Sequence, residues 1–438
     1  MKKIIDKGKK VFNDSLVKDS LWMLSSQVIG IITQGASFFI VARVLGAEAY
    51  GIFIGIAAFV KLFFPFVGLG SSDIFLKRVA RDPAVFRGYW GTVLLTSFIF
   101  VLGIVPVVLG LISVIYAPNT PLLLVLFILL ADLLGGKMSI LAEAAFLACD
   151  RVKLNAQHRL LYGVGKLIAA VGLLLFFEDG NVVAWGGLYC LGSIVPATVS
   201  ILTVNKLFGS PIFNIKKYPP ELSEGFFFAI AQSAETVNGQ IDRTMLVSLA
   251  SADAAGIYAA GYRFIDVGNI VIIAVMSATY TRFLRHGASG IKAGLKFAFR
   301  LVPVAVGYGI ISAVALLSIA PFVPNILGEQ YAESSSVLLW LAPIHLIAAL
   351  QFIAADTLTG AGFHKARSGL QVTAAFINFG ANLYLIPRFS WQGAAWATLA
   401  SETFKLVTLW LLVIYYNNRA TVQEQLVNAA TDSRYEEK

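Results

Sequence analysis

PLLLVLFILLADLLGGKMSILAEAAFLA, residues 121–148, is one of about twelve helix-length apolar runs that follow one another with short connections. A bilayer core of about 30 Å is crossed by about 20 apolar residues in a helix. The chain is 58% hydrophobic and only 13% charged, whereas roughly a quarter of the residues of a soluble protein are charged. The sequence therefore predicts an all-α integral membrane protein with about twelve transmembrane helices.

The connections between the predicted spans alternate in charge. The spans cover residues 21–45, 51–70, 88–115, 121–148, 160–177, 182–207, 222–250, 254–280, 295–320, 335–360, 369–386 and 391–416. Every second connection is basic, as at Lys77 and Arg282, whereas the alternate connections carry Glu48, Asp253 and Glu329. Basic loops stay in the cytoplasm, which predicts that both termini are cytoplasmic. The same rule explains the net charge of +9, so we expect no nucleic-acid partner.

The second half of the chain repeats the first. AEAYGIF at residues 47–53 returns as ADAAGIY at residues 252–258, a shift of about 205 residues. Six spans in each half give both copies the same orientation, so we expect two parallel six-helix bundles around a central cavity. Transporters are built this way, although channels and membrane enzymes are also duplicated. The predicted parts are an amphipathic N-terminal segment, an N-lobe, a C-lobe and a cytoplasmic tail, at residues 1–19, 20–210, 211–417 and 418–438.

A stripe of polar side chains marks the seventh predicted span. Spacings of three and four residues place its members on one helix face, and they are Gln232, Glu235, Asn238 and Asp242. Gln27 and Gln34 lie on the corresponding face of the first span. A charged side chain at the bilayer centre costs about 2.5–3.5 kcal/mol on insertion scales, so two carboxylates on one face favour a water-filled cavity. Interhelical hydrogen bonding is the alternative.

Other spans carry isolated charges. Lys61 lies in the second span and aligns with Asp266 of the eighth, where Arg263 stands three residues earlier. Arg263 and Asp266 either face a substrate or neutralise each other within their helix. Asp132 and Glu402 lie near the middle of the fourth and twelfth spans, where a functional and a structural role remain equally open. For three further lysines we favour snorkelling or pairing over function, namely Lys137, Lys166 and Lys405.

Several motifs are missing from the sequence. It has no Gly-rich loop ending in Lys-Ser or Lys-Thr, which argues against an ATP-driven motor. The four histidines have no zinc-binding spacing, and no predicted outer loop is long enough for a catalytic domain. We therefore expect a transporter rather than an enzyme. It would have no cofactor other than H⁺ or Na⁺ as a coupling ion.

Four stretches resemble the O-antigen and capsule repeat-unit flippases, a polysaccharide flippase family within the superfamily of multidrug, oligosaccharidyl-lipid and polysaccharide exporters. They are ARVLGAEAYG at 42–51, IDR at 241–243 followed by GIY at 256–258, LGEQY at 327–331, and LIP at 385–387 followed by GAAWAT at 393–398. Together they span the chain in order. These motifs belong to loops and helix packing, so they identify the family but not the substrate.

The resemblance implies two six-helix lobes around a V-shaped cavity that opens alternately to each side of the bacterial inner membrane. It also implies that the substrate is an oligosaccharide on undecaprenyl pyrophosphate, with membrane lipids and a polysaccharide polymerase as further partners. On that basis Lys61 and Arg263 are predicted to contact the pyrophosphate. The predicted sugar contacts are Gln27, Gln34, Gln232 and Asn238. Coupling to an ion is assigned to Glu235, Asp242, Asp132 and Asp266.

Two other functions remain open from the sequence. A cation-coupled exporter of amphipathic small molecules would use the same fold. A membrane-embedded glycosyl-lipid enzyme is a third hypothesis, but it would be expected to place a cluster of acidic or arginine residues on a sizeable outer loop, which the sequence lacks.

Overall fold

The structure is a computed structural model that describes residues 15–116, 120–177, 180–213 and 219–436. Most of the predicted amphipathic segment at 1–19 therefore lies outside the described residues. Every regular element in the described ranges is helical. The chain forms two compact units, Met1–Gly256 and Ile257–Lys438. The lobe boundary at 210/211 stays a prediction.

The first unit contains eight complete helices and one π-helical segment within its described residues. They are α1 (Ser15–Phe63), α2 (Ser71–Arg81), α3 (Phe86–Ile115), α4 (Leu122–Leu129), the π segment (Leu130–Gly136), α5 (Lys137–Ala148), α6 (Val152–Phe176), α7 (Val182–Phe208) and α8 (Pro219–Leu249). The unit ends inside the next helix, α9 (Ala252–Gly287).

The second unit begins within α9 and continues with α10 (Ile291–Ile319), α11 (Val323–Leu327), α12 (Ser334–Leu341), α13 (Ile344–Gly360) and α14 (His364–Glu436). The predicted tail at 418–438 thus continues as helix to Glu436. Helices also extend beyond the predicted spans at their basic ends. For example, α6 begins at Val152 rather than at 160, because helical hydrogen bonds continue where the apolar sequence stops.

Eight helices among the described residues are long and apolar enough to cross a membrane, or nine if the bent pair of α12 and α13 is one span. Two of them are broken, α1 at Gly46 and α14 at Ser390, where the backbone leaves the helical region. Twelve segments, the predicted number, result when the bent pair is counted as one span, α1 and α14 are each divided, and α8 is added, although α8 is not among the helices that are apolar enough by themselves. The predicted all-α membrane fold is confirmed.

The two copies of the repeated motif pack against each other within the first unit. A Cβ on Gly51 would overlap the carbonyl oxygen of Ala252, and a Cβ on Gly256 would overlap that of Ala47. Gly51 and Gly256 are equivalent positions of the repeat, and so are Ala47 and Ala252. Each glycine contacts the alanine of the other copy, as expected for two copies related by a two-fold axis. Only glycine allows the backbones to come this close.

The second predicted span is interrupted at its C-terminal end. A 3₁₀ turn at Phe64–Phe66 follows α1, and Gly68, Leu69 and Gly70 then take positive φ angles of 73°, 42° and 68°. The helix restarts as α2 at Ser71. Glycine adopts this left-handed conformation without a steric penalty, so the Gly-Leu-Gly sequence permits the break.

Aromatic packing fixes α2 beside α3, α5 and α7. Phe75, Trp90 and Phe146 are each 0% exposed and belong to one cluster. The indole of Trp90 donates a hydrogen bond to Asn205 Oδ1 at 2.7 Å. Such close packing leaves a helix little freedom to shift, so the N-terminus of α2 has a defined position beside α5.

Candidate functional site

The first unit contains a cavity of about 660 Å³. Its size falls within the range of small-molecule sites, about 300–1,000 Å³. The polar lining residues are Lys61, Ser72, Asp73, Asp132, Lys137, Glu143, Gln232 and Thr236. They come from α1, α2, the π segment, α5 and α8, so charges that are far apart in sequence face one space.

Lys137 lies at the side of the cavity formed by α2. Its side chain is 5% exposed, and its ammonium donates a hydrogen bond to the Ser72 hydroxyl at 3.3 Å. No carboxylate of the described residues lies within 4.0 Å of this ammonium. A buried cation with a neutral partner retains donors for a ligand, because an ammonium has three.

Asp132 is held by a chain of two polar side chains. The Tyr189 hydroxyl donates to Asp132 Oδ1 at 2.6 Å, and the Lys166 ammonium donates to the Tyr189 oxygen at 3.1 Å. The ammonium also lies 4.7 Å and 4.6 Å from the ring centroids of Tyr162 and Tyr189. Lys166 is therefore paired, one of the two alternatives that the sequence left open.

The local backbone at Asp132 is unusual. Asp132 belongs to the π segment Leu130–Gly136, and such single-turn π insertions are frequent at functional sites. Its second carboxylate oxygen, Oδ2, is buried and has no hydrogen-bond partner among the described residues. Asp132 therefore lines the cavity with one carboxylate oxygen bound to Tyr189 and a second, buried oxygen that has no partner among the described residues.

The remaining acidic groups of the cavity differ in their surroundings. Glu143 lies 3.8 Å from the Arg159 guanidinium. Asp73 is exposed and stands in the first turn of α2. Two lysines and three carboxylates give the cavity a mixed charge.

The cavity brings three of the predicted site residues together, Lys61, Asp132 and Gln232. Gln27 and Gln34 are exposed on α1. On α8, Asn238 is half-buried and Asp242 is buried. The side chain of Glu235 lies outside the described residues. The roles assigned to all these residues stay predictions.

Charged side chains of α9 and α14 in the second unit are paired within their own helices. Arg263 and Asp266 lie 3.8 Å apart within α9, as one of the two alternatives from the sequence expects. Lys405 and Glu402 lie 2.5 Å apart within α14. The amide of Gln351 also donates to a Glu402 carboxylate oxygen at 2.9 Å. These contacts give Glu402 two partners within the second unit.

Sequence reasoning did not select Lys137, Ser72, Tyr189 or Lys166 as site residues. Lys137 was visible as a charge at span depth, but its position beside the N-terminus of α2 depends on tertiary packing. The Gly68–Gly70 stretch followed by two serines is the local signal that could have identified this end of the cavity, because it permits a break before a new helix.

Comparisons with known proteins show the fold and the family. The lipid II flippase MurJ, in an inward closed conformation, matches with a TM-score of 0.72 and 14% identity over 91% of this chain and 87% of that chain. An inward-facing multidrug resistance transporter of the MATE family matches with a TM-score of 0.70 and 13% identity over 90% of this chain and 99% of that chain. A transporter of the MOP superfamily from Pyrococcus furiosus matches with a TM-score of 0.59 and 14% identity over 91% of this chain and 96% of that chain.

Comparison with curated protein sequences gives no match. The family model described as polysaccharide biosynthesis protein matches residues 16–285. This range includes the whole cavity and more than half of the chain, and it confirms the family resemblance of the sequence motifs. The chain therefore belongs to the family of polysaccharide biosynthesis proteins.

Proposed function

We propose that this membrane protein is a flippase. It moves oligosaccharide repeat units on undecaprenyl pyrophosphate from the cytoplasmic to the outer leaflet of a bacterial inner membrane, for O-antigen or capsule synthesis. The observation that carries the proposal is the cavity with charged lining inside an apolar helical unit. The family model and the flippase fold of MurJ support it.

The physical barrier to such a substrate lies in its head. A hydroxyl without a hydrogen-bond partner costs about 4–8 kcal/mol in hydrocarbon, and an isolated charge costs far more. A cavity lined with amides, hydroxyls and charges replaces the lost water. The polyprenyl tail is already soluble in lipid, so only the head needs to pass through the protein. Alternating access then requires binding and conformational change, with no bond made or broken, and the protein is not an enzyme.

Particular residues have roles in this proposal. Lys61 and Arg263 contact the pyrophosphate, because ammonium and guanidinium groups form charge-assisted hydrogen bonds with phosphate. Gln232 hydrogen-bonds sugar hydroxyls, together with Gln27, Gln34 and Asn238. H⁺ or Na⁺ coupling is assigned to Asp132, Asp242, Asp266 and Glu235, of which Asp132 lines the cavity and has one buried oxygen without a partner among the described residues.

A cation-coupled exporter of amphipathic small molecules is the second candidate. The three carboxylates that line the cavity favour it, because carboxylates attract cationic molecules. The MATE-like fold is compatible with this function as well. Loss of an exporter would make cells sensitive to cationic compounds and leave surface polysaccharide unchanged. Loss of a flippase would remove surface polysaccharide and leave the sensitivity to cationic compounds unchanged.

The experiment is a gene deletion with complementation. We expect the deletion strain to accumulate polyprenyl-linked oligosaccharide in the cytoplasmic leaflet and to lose surface polymer. Lys61→Ala should fail to restore the polymer, whereas Lys206→Ala, a change at an exposed lysine of α7, should restore it. Normal surface polymer together with hypersensitivity to cationic compounds would reject the flippase in favour of the exporter.

A further inference from the structure

We infer that Lys166 occupies a cation-binding cage of its own chain and thereby excludes primary ammonium compounds from one side of the cavity. The cage consists of two aromatic rings and a carboxylate, those of Tyr162, Tyr189 and Asp132. Lys166 is in this inference a specificity-determining residue, because it fills the place that an organic cation would take. The inference goes beyond the proposed function and does not depend on it.

Two aromatic rings face the ammonium of Lys166. Its Nζ atom lies 4.7 Å from the ring centroid of Tyr162 and 4.6 Å from that of Tyr189. A cation within about 6 Å of an aromatic centroid is attracted by the negative face of the ring. Proteins that recognise ammonium ligands surround the charge with aromatic rings in the same way. The two tyrosines therefore give Lys166 the surroundings that such a ligand would need.

The third wall of the cage is a carboxylate. The Tyr189 oxygen accepts a hydrogen bond from the Lys166 ammonium at 3.1 Å, and the Tyr189 hydroxyl donates to Asp132 Oδ1 at 2.6 Å. Asp132 is 7% exposed, and a buried carboxylate is costly without a compensating cation. Lys166 compensates it across one hydroxyl group. The cage thus combines aromatic faces, a hydrogen-bond acceptor and a negative charge, all of which attract an ammonium ion.

The packing of α6 against α7 fixes the shape of the cage. Tyr162 and Lys166 are four residues apart on α6, so they lie on one helix face. A Cβ on Gly165 would lie 2.6 Å from the carbonyl oxygen of Gly192, and a Cβ on Gly192 would lie 2.7 Å from that of Gly165. The helices therefore touch about one turn from Tyr189. Such close packing leaves little freedom to shift, so the cage should keep its shape when its occupant is removed.

The cage borders the cavity. Asp132 and Gly136 both line the cavity, and a Cβ on Gly136 would lie 3.8 Å from the Tyr162 hydroxyl. The side chain of Lys166 is half-buried rather than enclosed. A small ion should therefore reach the place of the ammonium when the lysine side chain is shortened.

Occupation of the cage has a consequence for specificity. Asp132 is one of the three carboxylates that line the cavity, the feature that favours an exporter of cationic molecules. Because Lys166 already uses its charge and the adjoining rings, an added ammonium ion finds no vacant place there. Lys61 and Lys137 also line the cavity and repel cations. Both remain in the variants below, so a difference between the wild type and a Lys166 variant reports on Lys166.

The test is chemical rescue of Lys166→Ala in the full-length protein, held in nanodiscs of phosphatidylcholine. The probe is n-propylammonium, which has the carbons and the nitrogen that this substitution removes. n-Propanol is the matched probe without charge, and sodium chloride at the same concentration controls for ionic strength. Thermal unfolding is measured with each of the three solutes.

We expect n-propylammonium to stabilise Lys166→Ala in a saturable way, because it binds the folded state. The unfolding temperature should rise by about 1–2 °C at ten times the dissociation constant. The wild type should not respond, and neither should Lys166→Met, which fills the cage with an apolar side chain. Lys206→Ala, at an exposed lysine of α7, should behave as the wild type does. n-Propanol should change none of these proteins.

A double-mutant cycle tests the cage independently of whether Lys166→Ala folds. Tyr162→Phe keeps a ring beside the ammonium, whereas Tyr162→Leu removes it. With Lys166 present, Tyr162→Leu should lower the unfolding temperature more than Tyr162→Phe does, because it loses the attraction between the cation and the ring. The difference should shrink in the Lys166→Met background, which has no charge to attract.

The outcomes separate the parts of the inference. Stabilisation of the wild type by n-propylammonium to the same extent as Lys166→Ala would overturn the exclusion. A folded Lys166→Ala that does not respond, or that responds equally to n-propanol, would overturn the cage. An equal difference between the two Tyr162 variants in the Lys166 and Met backgrounds would overturn it as well. Each of these results leaves the flippase standing, since the gene deletion tests that proposal separately.

Discussion

Lys137 and Lys405 are both lysines buried within apolar helices, one in each compact unit, with exposures of 5% and 7%. Their partners differ. Lys405 lies 2.5 Å from the Glu402 carboxylate, whereas Lys137 is bound to the neutral hydroxyl of Ser72 beside a helix N-terminus. The same residue type at the same burial therefore has a carboxylate as its direct partner in one place and a neutral hydroxyl in the other.

The difference separates a structural charge from a candidate binding charge. A buried ion pair keeps both groups satisfied, and removal of one partner is costly. Lys137 has no carboxylate of the described residues within 4.0 Å, and it lines the cavity, so its ammonium keeps donors for a ligand. Burial and residue type do not distinguish the two lysines. The difference lies in the atoms that contact each ammonium.

The largest effect is expected from Lys405→Met, which would leave the Glu402 carboxylate buried without its cation. We expect a loss of about 3 kcal/mol in the free energy of unfolding, in the range for breaking a buried pair. Thermal or denaturant unfolding of the purified protein in detergent measures it. The double variant Lys405→Met/Glu402→Gln should recover most of the loss. A single variant as stable as the wild type would show that the pair contributes nothing.

A smaller effect is expected from Tyr189→Phe, which removes the hydroxyl between Lys166 and Asp132. The buried Asp132 and the half-buried Lys166 would each lose a hydrogen bond, at a cost of about 1–3 kcal/mol. The same unfolding measurement applies. Tyr308→Phe is a suitable comparison, because its hydroxyl donates to a backbone carbonyl, that of Gly268, at 2.6 Å. If Tyr189→Phe were the milder change, the chain from Lys166 to Asp132 would not be a stabilising network.

Lys137→Met should change the free energy of unfolding by about 1 kcal/mol or less, because it breaks no ion pair. Its effect should appear instead when anion is added. Inorganic pyrophosphate should raise the unfolding temperature of the wild type by binding to the folded state, and it should leave that of Lys137→Met unchanged. A loss of stability as large as that of Lys405→Met would erase the contrast between the two lysines.

The smallest effect is expected from Asp73→Asn, which removes an exposed negative charge from the first turn of α2. Affinity for geranylgeranyl pyrophosphate should rise only a few-fold, because solvent and salt screen an exposed charge. The increase should shrink as the salt concentration is raised. Asp150→Asn, at an exposed aspartate outside the cavity lining, should not change the affinity. Weaker binding by Asp73→Asn would mean that this carboxylate assists the ligand.

The sequence predicted the fold, whereas its assignments of site residues stay predictions. The helix-length runs predicted the all-α membrane fold, because a helix that faces lipid must be apolar for its whole length. Lys61, Asp132 and Gln232 were selected by their depth in spans, and they line one cavity. Arg263 was selected in the same way and lies 3.8 Å from Asp266. The position of a charged residue deep within a span shows that its burial is costly, but it does not show which group the charge contacts.

The breaks in helices show the same limit. Proline and glycine in the second span permit a break near residues 64–70, but the same residues occur in continuous membrane helices. The π segment at Asp132 has no sequence signal that we could use. Tertiary packing decides both, since Phe75 and its aromatic neighbours hold α2 beside α5 and so place Ser72 within reach of Lys137.

The sequence by itself determined that the chain is a multi-pass helical membrane protein with an internal repeat, and its motifs indicated the family. Those properties follow from the length and polarity of each segment, which are local. Only the tertiary structure decided which buried charges neutralise each other and which face a cavity. That outcome depends on distances of a few ångströms between helices far apart in sequence, because electrostatic energy in an apolar interior changes steeply over such distances.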